Sequence, residues 1–176
     1  MNIWHDIEKS RIKTEQFTAF IEIKKGGKVK YELDKETGLI QFDRLLHTSM
    51  VYPANYGFIP RTLGGDGDPL DVLVLTTEPL DTGVLVDCRP IGMIVMVDDG
   101  EMDEKIIAVA TGDPFFNNVR SMDDLPKHTF DEMRHFFMRY KELQGKETEI
   151  RSIEGLEAAE KCIYDSIINY DAEYDR

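Results

Sequence analysis

Cysteine is scarce: Cys88 and Cys162 are the only two in 176 residues, too few and too far apart for a disulfide framework or a thiolate metal site. Both are expected to be free, buried thiols. Long apolar runs are missing as well, since no stretch approaches the roughly 20 apolar residues of a spanning helix. The opening MNIWHDIEKSRIK mixes acids and bases without the ~7–15-residue apolar stretch of a secretory signal, so a cytoplasmic location is expected. Positive charge is short: 21 Lys and Arg against 34 Asp and Glu leave a formal charge of −13. Such a chain repels nucleic acid and anionic membrane surfaces, so it can hold an anion only where local cations or metal ions invert the field.

Several catalytic signatures are also missing. His5, His47, His128 and His135 show no H-x-x-x-H or H-E-x-x-H spacing, which removes the zinc templates. There is no G-x-S-x-G elbow, no P-loop lysine and no glycine-rich dinucleotide fingerprint, so acyl-transfer, NTPase and Rossmann chemistry find no support. What remains is a globular composition, 41% hydrophobic and 31% charged, of a length that suits one domain spanning residues 1–176.

Phe17 to Leu45 reads as three short strands, FTAFIEIKK, KVKYELD and GLIQFDRLL, separated by Gly26-Gly27 and by Lys35-Glu36-Thr37-Gly38, a pattern expected to form a β-meander. Alternation puts Ile21, Ile23, Val29, Tyr31 and Leu33 on one face and Glu22, Lys30 and Glu32 on the other. From His47 to Pro69 the prolines and glycines of HTSMVYPANYGFIPRTLGGDGDP argue against a long helix or central strand. VLVL follows as a buried strand, and IGMIVMV, DDGEMDE and KIIAVA predict a hairpin with an acidic tip. Helical spacing then predicts helices over about Asp124–Gln144 and Ile153–Tyr170. Strands first and helices last predict an α+β fold: a small antiparallel β-barrel, closed or strongly curled and OB-like, with two C-terminal helices packed outside.

The sharpest feature is Asp66-Gly67-Asp68-Pro69-Leu70-Asp71, which places three carboxylates within six residues. Their mutual repulsion becomes tolerable if hard divalent cations such as Mg²⁺ take their oxygens, with waters and substrate phosphate oxygens completing the shell. A calcium loop of the EF-hand type fails on spacing, because Pro69 and Leu70 interrupt it and Thr77 stands where the twelfth-position glutamate belongs. Asp98, Asp99, Glu101, Asp103 and Glu104 form a second acidic group. It can join the first only if its hairpin folds back, since a two-metal site draws carboxylates from separate segments. Lys30, Arg44, Tyr56, Tyr140 and Lys141 are candidate phosphate ligands. Tyr140 also fits ordinary helix packing with Phe130, Met133 and Phe137.

The chain resembles the soluble inorganic pyrophosphatases of the bacterial type (family I), whose signature D-x-D-P-x-D appears as DGDPLDV. The resemblance covers most of the chain: FIEIKKGGKVKYELDKETG, FDRLLHTSMVYPANYGFIP, LDVLVLTTEPL, CRPIGMIVMVDDGEMDEK and HFFMRYKEL fall in the family's order. It implies Mg²⁺-dependent hydrolysis of pyrophosphate to two orthophosphates by attack of a metal-bridged water or hydroxide. It further implies several Mg²⁺ ions on Asp66, Asp71 and Asp103, with Asp98 and Glu22 assisting, and Ca²⁺ as an inhibitor. Asp68 would be the general base. Lys30, Arg44, Tyr56, Tyr140 and Lys141 would hold the phosphoryl groups, and Lys105, Tyr52 and Glu32 would complete the lining. The substrate would arrive as its magnesium complex, and the protein would be a homohexamer. Departures lie toward the ends: Lys24 where many members have proline, the segment WHDIEKSRIK, and Leu156 in place of a common tryptophan.

Overall fold

The computed structural model describes residues 1–175. Its strands are β1 (Phe17–Ile23), β2 (Val29–Leu33), β3 (Ile40–Leu45), β4 (Asn55–Phe58), β5 (Asp71–Leu75), β6 (Leu85–Asp98), β7 (Glu101–Ala110) and β8 (Thr148–Glu154); its α-helices are α1 (Lys127–Arg139) and α2 (Leu156–Tyr174). The strands β1, β4, β5, β7 and β6 form a ring of hydrogen bonds closed by a β1–β6 pairing. The fold is therefore α+β, as expected, although the ring is less regular than a simple barrel. Its pairs are antiparallel except for β5 and β7, which run parallel. β8 extends the ring from β6, and β2 and β3 form a separate hairpin.

β6 makes closure possible because it changes partners along its length. Its first residues pair with β1, from Leu85 to Cys88. Its last pair with β8, from Met93 to Asp98. Between them the register shifts at Pro90–Gly92, where proline removes a ladder donor and a bulge bends the strand. The strand expected from IGMIVMV begins only at Ile91, six residues after its actual start at Leu85.

Four other expectations are corrected. The meander breaks after β1, which pairs with β4 and β6 rather than β2. The His47–Pro69 stretch does contain a central strand, β4, whose Gly57 lies against β1 so closely that a Cβ would stand 1.8 Å from the Phe20 carbonyl oxygen. Glycine is what lets the backbones approach there. The first predicted helix is shorter than expected, α1 being flanked by 3₁₀ turns at Met122–Asp124 and Glu142–Gln144. The start of the second was misread, because Ile153 lies in β8 and the helix begins at Leu156.

β5 and β7 are buried on both faces, which is why VLVL and IIAVA read as continuous apolar runs. Val72, Val74, Ile106 and Ala108 join a cluster with Ala159, Cys162 and Ile163 of α2. Leu73, Ile107 and Val109 join another with Phe130, Met133, Phe136 and Phe137 of α1. Cys88 and Cys162 are both free and buried. A methyl at Gly57 has nowhere to go, so Gly57→Ala is expected to cost about 3 kcal/mol or more, the upper range for overpacking, read as a lowered denaturant midpoint.

Candidate active site

A cleft of about 300 Å³ opens between the β2–β3 hairpin, the 66–71 loop, the β6–β7 hairpin and the C-terminal end of α1. Every residue given a role by the resemblance lines it except Arg44 and Tyr52; of the second acidic group, Glu104 lies outside and accepts from Cys162 Sγ. Glu22, Lys30 and Glu32, placed on one face by alternation, do converge there although β1 and β2 belong to different sheets.

Local structure explains the convergence. The register of β1 against β4 shifts between Ile21 and Ile23, and Glu22 at that irregularity is only 6% exposed, its carboxylate accepting the Leu33 N–H at 3.0 Å. The hydrogen bond ties β1 to β2. The 59–71 segment is stapled by buried Thr62, whose hydroxyl donates to the Ile59 carbonyl (2.6 Å) and accepts from the Leu70 N–H (2.9 Å). The loop tip curls so that the Asp68 N–H reaches Asp66 Oδ1 at 3.0 Å. At the β6–β7 turn, Asp99 and Gly100 both have positive φ, 50° and 78°, the signs of a tight Asp-Gly hairpin turn. This hairpin brings the second acidic group to the first.

At the centre stands Lys105, 2% exposed. Its parallel-register partner is Asp71, and the two side chains meet at 2.9 Å. The same ammonium lies 3.2 Å from Asp103 and donates to the Tyr56 hydroxyl at 2.8 Å. Burial alone would lower its pKa, but Asp103 and Asp71 outweigh that and hold it well above the ordinary lysine value. The carboxylates move the other way. Burial, with Asp71 as the next contributor, pushes Glu22 up to about 8. Burial raises Asp71 to about 6 against the opposing pull of Lys105, helped by Asp103, and burial also raises Asp66.

The phosphate-ligand candidates divide. Lys141 pairs with Asp98. Tyr140, buried at the end of α1, stacks on Phe136 with ring centroids 5.2 Å apart, so the packing expectation holds beside its place in the cleft. Lys30 bridges Glu32 and Asp43 at 3.3 and 3.2 Å. Arg44, its register partner, is turned onto Asp43 and stands outside the cleft lining. Tyr52 is buried against Tyr56 and Phe136. One charged lining residue escapes the sequence: Lys35, which pairs with Asp68 and reads there only as part of a turn. Nothing in the local sequence distinguishes it from any solvated turn lysine.

A family model for inorganic pyrophosphatase matches residues 19–171. The chain belongs to the inorganic pyrophosphatase family. It is 53% identical over 155 residues, 88% of this chain and 94% of the other, to an inorganic pyrophosphatase of Geobacillus stearothermophilus. It is 47% identical over 171 residues, 97% of this chain and 80% of the other, to soluble inorganic pyrophosphatase 1 of Arabidopsis thaliana. Among solved structures, the inorganic pyrophosphatase of Helicobacter pylori superposes with a TM-score of 0.89 at 42% identity, covering 94% of this chain and 99% of that one. That of Thermus thermophilus gives 0.90 at 36% identity over 97% and 99%. The family match thus includes the whole acid-and-base cleft.

Two measurements follow from the charge arrangement. Lys105→Met leaves Asp71 and Asp103 without their buried counter-charge and is expected to cost about 3–5 kcal/mol in metal-free denaturant melts. Glu22 and Asp71 have folded pKa values near 8 and 6, above their ordinary 4.5 and 3.8, so between about pH 4 and 8 the folded state binds more protons than the unfolded. The stability these two groups support is present at low pH and is lost as pH rises through 6 and 8. The melting temperature with EDTA should therefore fall from pH 5 to pH 8, and its rise on adding Mg²⁺ should be larger at pH 8.

Proposed function

We propose that this chain hydrolyses inorganic pyrophosphate to two orthophosphates, with Mg²⁺ as cofactor and the magnesium complex of pyrophosphate as substrate. The observation that carries the reading is the facing of two charge sets in one cleft: Glu22, Asp66, Asp71, Asp98 and Asp103 against Lys30, Lys105 and Lys141. A site that needed only an anion would not gather these acids, and one that needed only a cation would not gather these lysines.

The donor set suits magnesium. Its oxygens are hard ligands, and the buried Oδ1 of Asp98 has no hydrogen-bond partner among the described residues. No three His, Cys, Asp or Glu side chains among those residues form a ready-made cage, and Mg²⁺ usually takes one or two carboxylates, several waters and substrate phosphates instead of a full protein shell. Asp66, Asp71 and Asp103 would hold the ions, several to a site, with Asp98 and Glu22 nearer the substrate. When bound, Mg²⁺ supplies positive charge against the substrate oxygens and makes water more acidic at neutral pH.

The remaining work falls to the side chains. Asp68, at the loop tip and open to solvent, accepts the proton of the attacking water at its carboxylate. The water oxygen bonds to one phosphorus as the bridging P–O bond breaks, its electron pair leaving with the second phosphate. Lys30, Lys141, Tyr56 and Tyr140 orient the phosphoryl oxygens and offset the charge that develops on the leaving group. Arg44 joins them by turning from Asp43 toward the cleft. Lys105, Tyr52 and Glu32 fix the lining.

The protein would act as one domain and, by family resemblance, as a homohexamer; exposed Phe42, Phe115 and Leu143 offer apolar surface for such contacts. A cytoplasmic location fits two cysteines that remain free thiols, and among the described residues no helix is long and apolar enough to cross a membrane. Binding of nucleic acid or membrane is not expected at a charge of −13. The test is phosphate release from pyrophosphate. Turnover should require Mg²⁺, vanish with EDTA, fall as Ca²⁺ is added and drop by about 10²–10⁴-fold in Asp68→Asn. A parent protein without metal-dependent turnover overturns the proposal.

A further inference from the structure

We propose that Lys35 is a positioning residue for the 66–68 loop tip, held in place by the N-terminal segment through Trp4. Its catalytic consequence rests on the reading of Asp68 as the base. Lys35 lies in the β2–β3 turn, and its ammonium makes two contacts on successive loop residues: it donates to the Gly67 carbonyl at 3.2 Å and pairs with the Asp68 carboxylate. Gly67 is in the left-handed region, φ +82°, and it follows Gly64 and Gly65, so this stretch has more backbone freedom than any neighbour. From the other side the Asp68 N–H is fixed to Asp66 Oδ1. The peptide that carries Asp68 is thereby gripped at both ends.

Stability does not account for the pair. The side chains of Lys35 and Asp68 are 49% and 52% exposed, and an ion pair so open to water contributes little to folding. Orientation does account for it, because a misplacement of about 1 Å at a reacting group can cost about 10²-fold in rate.

The grip has a backing. Lys35 Nζ stands 5.9 Å from the centre of the Trp4 ring, and Trp4 is 2% exposed. The indole N–H donates to the Thr62 carbonyl at 2.9 Å, and the Trp4 carbonyl accepts the Arg61 N–H at 2.9 Å. At the far side of the turn, a Cβ on Gly38 would stand 2.6 Å from Asn2 Cα, so the turn and the N-terminal segment are closely packed. The segment WHDIEKSRIK, which departs from its family's usual leader, thus connects the lysine turn to the root of the acidic loop. Trp4 is also the only tryptophan, so its emission reports on this junction.

The experiment uses the full chain with Lys35→Met, which keeps the stem and removes the charge, Lys35→Arg, Asp68→Asn, and the Met/Asn double variant. Lys35→Met should lower kcat by about tenfold with KM for magnesium pyrophosphate within about twofold, and Lys35→Arg should recover most of the loss. The double variant should be no slower than Asp68→Asn alone, since both act at one group. A raised KM with unchanged kcat would make Lys35 a substrate ligand and overturn the inference, as would multiplying losses in the double variant. If Asp68→Asn keeps full turnover, the base reading fails, and the emission arm alone then decides the role of Lys35. Mg²⁺ titrated without substrate should shift Trp4 emission in the parent and not in Lys35→Met. An unmoved parent signal, or equal shifts in both proteins, overturns the clamp.

Discussion

The site depends on one buried ammonium. Lys105 can sit dry in the sheet only because Asp71, Asp103 and the Tyr56 hydroxyl surround it at 2.8–3.2 Å. An isolated charge there would cost several kcal/mol. Those partners come from three strands, so the ion pair requires β5 and β7 to lie side by side in one register and β4 to lie beside β5. The parallel β5–β7 pair, the one departure from antiparallel order in the ring, is what places Asp71 opposite Lys105. Fold and site therefore constrain each other. A slip of one residue between β5 and β7 would turn Lys105, and Asp103 with it, away from Asp71 and toward the opposite cluster.

The same arrangement explains how an acidic chain can have affinity for an anion. The cleft holds more carboxylates than its lysines neutralise, and burial first, with neighbouring carboxylates adding to it, raises the pKa values of Glu22, Asp66 and Asp71. Crowded acids are destabilising until a cation joins them. In the proposed reading, a divalent ion held by these acids would relieve that repulsion and reverse the local field, and Lys30 and Lys141 would then hold the substrate without opposition from the rest of the surface. The orphaned oxygen of Asp98 belongs to the same unfinished account of charge.

How much of this could be read in the sequence depends on how local each signal is. DGDPLD is legible because its carboxylates are adjacent, and the acidic hairpin because Asp99-Gly100 imposes its own turn. β1, β2, β3 and both helices announce themselves by periodicity. β4 does not, since a four-residue strand with a glycine inside reads as loop unless the nearness of Phe20 is known. β8 was lost because Ile153 fits a helical stripe with Leu156 as well as it fits a strand. The closure through β6 is a long-range event that no window reveals. Lys35 stayed hidden for the same reason, because its partners lie 32 and 33 positions away, at Gly67 and Asp68.

Tyr140 shows why packing and function need not compete as explanations. Its ring lies against Phe136 and Phe137, these lie against Tyr52 and Tyr56, and the Lys105 ammonium stands 5.1 Å from the Tyr56 ring centre and 5.2 Å from that of Phe137. A cation against desolvated aromatic faces gains up to about 2 kcal/mol, so the ring cluster stabilises the charge that its own burial would otherwise disfavour. The cluster also excludes water from beneath the carboxylates, where lower dielectric strengthens every charge–charge contact. An aromatic stripe on α1 is thus the dry floor of a polar cleft. Its helical spacing satisfies the core and fixes the direction of the tyrosine hydroxyls together.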